Sequence, residues 1–220
     1  GRHVFTRMSV EENLRFFATL FGTTIEANYD LIRDIYSQIE PFRTRRAGAL
    51  SGGMKQKLAL SCALIHKPSV LFLDEPTTGV DPVSRKELWE MLAKLRCQGI
   101  TILVSTPYMD EASRCDRIAL IRGGRFLDID TPKRIIEKFG ERLWAVSGDR
   151  MPAMLKTLRR HPQITSAFAF GDTHHATPDA TLTEKQLAAY LTAEGYRNLR
   201  IEAIEPGIED CYMKLDRTNE

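Results

Sequence analysis

The segment VLFLDEP, residues 70–76, constrains the fold of this chain more than any other part of the sequence. Its four leading apolar residues predict a short strand that is buried on both faces of a parallel sheet. Asp74 and Glu75 follow at once, so the strand would carry two carboxylates at the carboxyl edge of the sheet, where open α/β sheets bind ligands. In a nucleoside triphosphatase the aspartate would orient Mg²⁺ and the glutamate would polarise the attacking water. The alternative is a strand that ends in two solvated acids.

The surrounding segments supply the helices and the second strand of an α/β fold. Ser9 and Glu12 form a capping-box pattern, and Asp81 followed by Pro82 is typical of a helix start. Helices are predicted over about 10–21, 28–39, 54–65 and 82–98. A second buried strand is predicted at 100–104, and a hairpin at 117–121 and 125–129.

The pattern of elements changes near Gly140. Strands are predicted at 143–147, 164–170, 174–177 and 199–204, with helices at 151–160 and 184–193. This order predicts a small ferredoxin-like α+β domain. The chain would therefore consist of an α/β domain over 1–140 and an α+β accessory domain over 141–220.

Composition and charge exclude several classes of protein. With 43% apolar and 27% charged residues, the chain has the composition of an ordinary globular protein. A net charge of +2 is too small for nucleic acid or an anionic membrane to be the main partner. No apolar run reaches the roughly 18 to 20 residues of a membrane-spanning helix, and the chain does not open on a signal-peptide pattern. The four cysteines lack metal-ligand spacing, and His174-His175 has no partner cluster, so no metal site is predicted from them.

A second segment that could form a binding site is Leu50-Ser51-Gly52-Gly53, which comes directly before a predicted helix. Ser-Gly-Gly at a helix start presents a hydroxyl and backbone N–H groups at the positive end of the helix dipole, which favours anions. The glycines let a phosphate approach the backbone without a Cβ in the way. Since a serine N-cap with glycines is common, an ordinary helix start is the alternative.

In this order, and followed by Gly79-Val80-Asp81, the two segments resemble the nucleotide-binding domain of ABC transporters. Leu50–Gly53 matches the family signature LSGG, Leu71–Glu75 the Walker B motif, and Gly79–Asp81 the D-loop. The resemblance covers about residues 4–130. It implies a P-loop NTPase-like α/β core that is incomplete here, with a helical subdomain at about 9–66 and the Walker B, D-loop and H-loop region at 67–130.

The resemblance also implies roles for single residues. Glu75 would be the catalytic base, Asp74 would hold Mg²⁺, and Ser51 would contact the γ-phosphate of ATP held by a partner subunit. The other nucleotide-binding positions would be Leu50, Gly52, Gly53, Asp81 and Pro107. Two subunits would form a head-to-tail dimer around two ATP molecules, and closure of that dimer would act on a membrane permease.

The C-terminal region is similar to one branch of the family. The segment PGIEDCYMKL, residues 206–215, and the segment YMDEA, residues 108–112, resemble the corresponding parts of bacterial daunorubicin-type drug-export ATPases. Those subunits pair with permeases of the ABC-2 type. The resemblance implies an export ATPase in the cytoplasm, peripheral on the inner face of the bacterial cell membrane, that contacts its permease through the segment from Ser9 to Arg46.

The sequence departs from the family pattern in its phosphate-binding elements. The chain contains no G-x-x-x-x-G-K-[ST] sequence and no glutamine loop, so we expect truncation upstream and no ATP turnover by this fragment alone. A missing strand would leave a gap in the sheet and an exposed edge. Met54 stands where the signature often has glutamine, a change that a helix start tolerates.

Pro107 stands where the family normally has a histidine that contacts the γ-phosphate. Proline offers neither a ring nitrogen nor a backbone N–H. The site would therefore hydrolyse ATP slowly, or belong to one half of a pair with unequal sites, or be degenerate. Two other hypotheses remain: a soluble ABC protein that acts on ribosomes or other assemblies, and a binding module whose C-terminal domain senses a ligand or stabilises the dimer.

Overall fold

The computed structural model describes residues 4–218. The first three residues, which belong to the prediction that the chain does not open on a signal peptide, lie outside this range. The chain folds as two compact units, residues 1–108 and 109–220. Helices and strands occur in both, in agreement with the predicted fold class. The predicted domain boundary at residue 140 stays a prediction. Within residues 4–218 no helix has the length and apolar character needed to cross a bilayer.

The first unit combines helices with a parallel pair of strands. Its elements are α1 (Val10–Leu20), α2 (Tyr29–Tyr36), α3 (Gly52–Leu64), β1 (Val70–Asp74), α4 (Pro82–Cys97) and β2 (Thr101–Ser105). The capping box of α1 is confirmed, since Ser9 Oγ accepts the Glu12 N–H at 3.1 Å and Glu12 Oε2 accepts the Ser9 N–H at 2.7 Å. Helix α3 begins earlier than predicted, at Gly52, because Ser51 is its N-cap.

Helices α1 and α2 both pack on α3. Their shared core consists of aliphatic side chains that are fully buried: Leu14, Ile32, Ile35, Leu58 and Leu64. Two buried asparagines connect this core to the loops. Asn13 Nδ2 donates to Ser9 O at 2.8 Å, and Asn28 Nδ2 donates to Ile65 O at 2.6 Å. Because each buried amide has a backbone partner, the loops are fixed to the helices at little cost in unsatisfied polar groups.

The two strands lie close to their predicted positions, but the prediction that they are buried on both faces is wrong. Leu71 is buried, whereas Phe72 is 72% exposed and its partner Leu103 on β2 is 61% exposed. Exposed and more buried side chains alternate along both strands, so among the described residues only one face of the β1–β2 pair is covered. The continuous apolar run therefore adopts the burial pattern of a half-buried strand.

The second unit begins with a short helix and a hairpin, and continues into an α+β domain. Its elements are α5 (Met109–Ala112), β3 (Ile118–Arg122), β4 (Arg125–Asp130), α6 (Pro132–Glu137), β5 (Leu143–Ser147), α7 (Met151–Arg160), β6 (Ile164–Phe170), β7 (Thr173–Pro178), α8 (Glu184–Ala193), β8 (Arg200–Ile204) and α9 (Ile208–Thr218). Strands β5 to β8 form an antiparallel sheet in the order β6-β7-β5-β8. This strand–helix–strand, strand–helix–strand sequence is the predicted ferredoxin-like arrangement.

Two hydrophobic clusters hold this unit together. The larger one lies in the ferredoxin-like part and includes Trp144, Met154, Leu158, Leu187 and Leu191. The smaller one joins the hairpin, α6 and α9 through Leu120, Ile135, Phe139, Ile208 and Cys211. Helix α9 therefore packs on elements that precede residue 140, although the sequence placed it in a domain that starts at residue 141.

His174 and His175 lie on β7 and have different partners. His174 Nε2 lies 2.7 Å from Met151 O, and His175 Nδ1 lies 2.7 Å from Asp210 Oδ1 on α9. Among the described residues no group of histidine, cysteine and carboxylate side chains is arranged to hold a metal ion. The two histidines thus serve packing and the attachment of α9.

Candidate functional site

The carboxylates of Asp74 and Glu75 lie at the carboxyl end of β1, as the sequence predicts. Parallel pairing sets Asp74 opposite Ser105, the last residue of β2. Ser105 Oγ lies 2.5 Å from Asp74 Oδ1 and accepts the Glu75 N–H at 3.0 Å. The same N–H also approaches the carbonyl of Ser105 at 3.0 Å. One serine therefore fixes both acidic residues, and sequence reasoning missed it because the contact depends on strand register.

Glu75 adopts a left-handed backbone conformation with φ of +42°. For a residue with a Cβ this conformation costs about 1 kcal/mol or more, and residues held in it cluster at functional sites. A tight turn follows, in which Thr78 N–H donates to Glu75 O at 3.2 Å. Thr78 Oγ1 also donates to Glu75 Oε2 at 3.1 Å. The turn thus holds the exposed Glu75 carboxylate in a defined orientation at the strand end.

The signature segment forms the N-terminus of α3. Ser51 Oγ accepts the Met54 N–H at 3.3 Å, and Leu50 is buried beneath it. A hydroxyl that accepts one bond can still donate its own proton. Ser51 and Gly52 are exposed, so the positive end of the α3 dipole is open to solvent.

The signature segment and the D-loop lie against each other. A Cβ placed on Gly53 would come within 2.9 Å of Ser84 Oγ, and one on Gly52 would lie 3.7 Å from Gly79 O. A side chain at Gly53 would have to displace Ser84, so the glycine favours close packing against α4. Asp81 caps α4, because its Oδ1 accepts the N–H groups of Val83 at 3.1 Å and Ser84 at 2.9 Å. These bonds, above all those from Ser84, hold the pKa of Asp81 below its ordinary value.

Pro107 is exposed in the segment that follows β2. Its neighbours are fixed locally: Thr106 Oγ1 accepts the Tyr108 N–H at 3.1 Å, and the Arg85 guanidinium lies over the Tyr108 ring at 4.1 Å from the centroid. Helix α4 therefore reaches the Pro107 segment as well as the signature segment. All the predicted site residues lie in the first unit.

Comparisons with known proteins agree with this arrangement. A family described as "ABC transporter" matches residues 1–78. The chain is 35% identical to the Escherichia coli "Probable multidrug ABC transporter ATP-binding protein YbhF" over 94% of its own length and 36% of that protein. It is 34% identical to "Nod factor export ATP-binding protein I" of Rhizobium sp. strain N33, over 94% of the chain and 67% of the relative. The chain belongs to the family of ABC transporter ATP-binding proteins.

Solved structures of ABC proteins share the fold. The "Structure of ATP binding subunit of ABC transporter" superposes with a TM-score of 0.55 at 30% identity, covering 63% of this chain and 59% of that one. The structure of cbiO1 from Clostridium perfringens, described as part of the ABC transporter complex cbiONQ, gives a TM-score of 0.53 at 26% identity, with 73% and 60% coverage. This ABC chain spans about a third of the length of YbhF and about three fifths of these solved chains. The family resemblance is confirmed.

The residues of this ABC chain fit the two groups that its family implies. Asp74 and Ser105 present oxygen atoms at one exposed point, and Mg²⁺ prefers oxygen ligands while keeping several of its waters. A site with few protein oxygens therefore suits Mg²⁺ bound together with a nucleotide. The glycine-lined start of α3 suits a phosphate of ATP, since Ser51 and Gly52 are exposed there and the glycines add no side chain of their own.

Proposed function

We propose that this chain belongs to an ATP-binding and ATP-hydrolysing subunit that couples closure of a dimer to export through a membrane permease. The observation that carries the proposal is the pair Asp74–Glu75 at the end of a parallel strand, fixed by Ser105. The relatives named for multidrug and Nod factor export support the direction of transport. The transported compound stays undefined, because the permease would select it.

The carboxylates would divide the chemistry between them. Glu75 would act as general base toward the attacking water, with its carboxylate oriented by Thr78. Asp74 and Ser105 would hold Mg²⁺, which when bound neutralises charge on the β- and γ-phosphate oxygens. Because Ser105 contacts both residues, it would keep base and metal ligand in a fixed relation.

The signature segment would serve ATP held by a second subunit in a head-to-tail dimer. Ser51 would donate its hydroxyl proton to the γ-phosphate, and Gly52 and Gly53 would present N–H groups. Buried Leu50 anchors this turn. Asp81, in the D-loop, would contact the partner from the start of α4.

Family membership supports a proposal for the remaining partners. An ABC-2 type permease would dock on the helical segment from Ser9 to Arg46, with the subunit peripheral on the cytoplasmic face of a bacterial membrane and no nucleic acid involved. Residues 1–140 would act as the ATPase part and residues 141–220 as an accessory domain. Pro107 supports a second form of the proposal, in which this subunit is the weaker half of an asymmetric pair.

The deciding experiment measures Mg-ATP hydrolysis by the full-length protein and by its Glu75→Gln variant. We expect turnover in the first and its loss in the second, with ATP still bound, because the amide cannot accept the proton of water. Full activity of the variant would remove Glu75 from its role. Absence of turnover in both, with ATP bound, would favour a degenerate site that needs an unlike partner.

A further inference from the structure

The first two turns of α4 contact the segments that carry the proposed ATP chemistry. Ser84 packs against Gly53, Arg85 lies over the ring of Tyr108, and Glu87 pairs with Lys57. Asp81 caps the same helix. The start of α4 is therefore connected by side chains to the signature helix on one side and to the Pro107 segment on the other.

The pair between α3 and α4 is partly shielded from solvent. Lys57 Nζ lies 2.7 Å from Glu87 Oε2, and the side chains of Lys57 and Glu87 are 16% and 44% exposed. The same ammonium donates to Gln38 Oε1 at 2.5 Å. By contrast, Lys86 and Glu90 on the outer surface of α4 are 3.9 Å apart and are 72% and 59% exposed. Partial burial makes an ion pair costly to break, whereas an exposed pair at this distance contributes little.

The pair lies close to the first turns of both α3 and α4. Lys57 follows the cap Ser51 by six residues, and Glu87 follows the cap Asp81 by six residues. At 1.5 Å per helical residue the pair lies about 9 Å along each helix from the cap. Between cap and pair the two helices also approach each other, where Gly53 faces Ser84.

We propose that Lys57 and Glu87 are positioning residues, which hold the Ser51 turn and the Asp81 turn in a fixed mutual geometry. This inference rests on the proposed function, since it concerns how the signature and the D-loop are presented to ATP. Neither side chain touches the nucleotide in this scheme. Both act through the caps of their own helices.

The test uses charge reversal in the full-length protein. Lys57→Glu and Glu87→Lys are made singly and together. The control is the double charge reversal Lys86→Glu plus Glu90→Lys on the exposed face of α4. Glu87→Gln replaces the single reversals if they fail to fold. The readouts are kcat for Mg-ATP, ATP affinity of the separated subunits, and hydrogen exchange in the first turn of α3.

Each single variant is expected to lower kcat at least about fivefold, since small misplacements of binding groups lower rates steeply. ATP affinity of the separated subunits should change less than twofold, and exchange at the α3 start should become faster. The double charge reversal should restore both kcat and the slow hydrogen exchange. The Lys86–Glu90 charge reversal should alter neither.

The inference is overturned if the double charge reversal restores neither kcat nor hydrogen exchange, or if the single variants behave like the Lys86–Glu90 charge reversal. Faster hydrogen exchange with unchanged kcat would also overturn it, because the pair would then stabilise α3 without positioning Ser51. If the parent protein hydrolyses no ATP, the proposal that this subunit hydrolyses ATP without an unlike partner fails, and hydrogen exchange alone decides whether the pair holds the Ser51 turn.

Discussion

Ser105 and Asp74 stand opposite each other at the ends of two parallel strands, with Ser105 Oγ 2.5 Å from Asp74 Oδ1. The same hydroxyl accepts the N–H of Glu75, a residue with a strained backbone. A serine on one strand thus stabilises the acidic pair on the next. In the proposed ATPase this contact would set the distance between metal ligand and base.

Ser105→Ala is expected to lower kcat for Mg-ATP about tenfold or more, since hydrogen bonds to charged groups contribute roughly 1.5–3 kcal/mol. The Mg²⁺ concentration required for half-maximal turnover should rise as well. Steady-state kinetics of the full-length protein provide the measurement, with Ser105→Thr as the control that keeps the hydroxyl. Unchanged kcat and Mg²⁺ requirement in the alanine variant would argue against a role for Ser105.

Ser51→Arg is expected to abolish turnover of the ATP that the partner subunit holds. The change removes the cap of α3 and places a long cationic side chain where a phosphate would approach. Mixed dimers with one Ser51→Arg subunit and one Glu75→Gln subunit separate the two sites. Ser51→Thr should retain activity. If mixed dimers show that only the variant's own ATP is affected, the head-to-tail assignment is wrong.

Asp81 gives a pH-dependent contribution to stability. Backbone N–H bonds from Ser84 lower its pKa in the folded chain, so its stabilising effect is complete above the ordinary aspartate pKa of about 4. The effect is lost as pH falls through the lowered pKa. Asp81→Asn keeps a capping oxygen without this titration. The difference in Tm between parent and variant should shrink below about pH 4, and parallel Tm curves would contradict the prediction.

Leu158→Ala should destabilise the ferredoxin-like part by about 2–5 kcal/mol, the usual cost of a cavity in a packed core. Leu158 is fully buried on α7 within the larger cluster of the second unit. Lys156→Ala, on the exposed face of the same helix, is the control. Urea unfolding followed by fluorescence measures the change, and equal midpoints for the two variants would show that the cluster is not a cohesive core.

Asp210→Ala is expected to loosen α9. The Asp210 carboxylate contacts His175 through Oδ1 and accepts the Gly207 N–H through Oδ2, both at 2.7–2.8 Å. Hydrogen exchange over residues 208–217 should become faster. Glu209→Ala removes an exposed acid of the same turn and should have no such effect. Equal exchange in both variants would mean that the packing of Ile208 and Cys211 alone holds the helix.

Local sequence patterns predicted the helices and the motif positions well. The capping boxes and N-caps at Ser9, Ser51 and Asp81 depend on atoms within three residues, so the sequence contains all the information they need. The order of strands and helices after residue 140 likewise indicated the ferredoxin-like domain before any packing was known. The family itself followed from short motifs in a fixed order.

Contacts between distant segments could be found only in the tertiary structure. Ser105 joins Asp74 across 31 positions, Lys57 joins Glu87 across 30, and His175 joins Asp210 across 35. The exposure of Phe72 also depends on what packs on each face of β1, which its own apolar run does not reveal. The sequence by itself determined the elements, the caps and the identity of the acidic pair, because those depend on neighbours along the chain. Register, helix packing and burial decided which side chains position that pair, because such contacts depend on the folding of the whole unit.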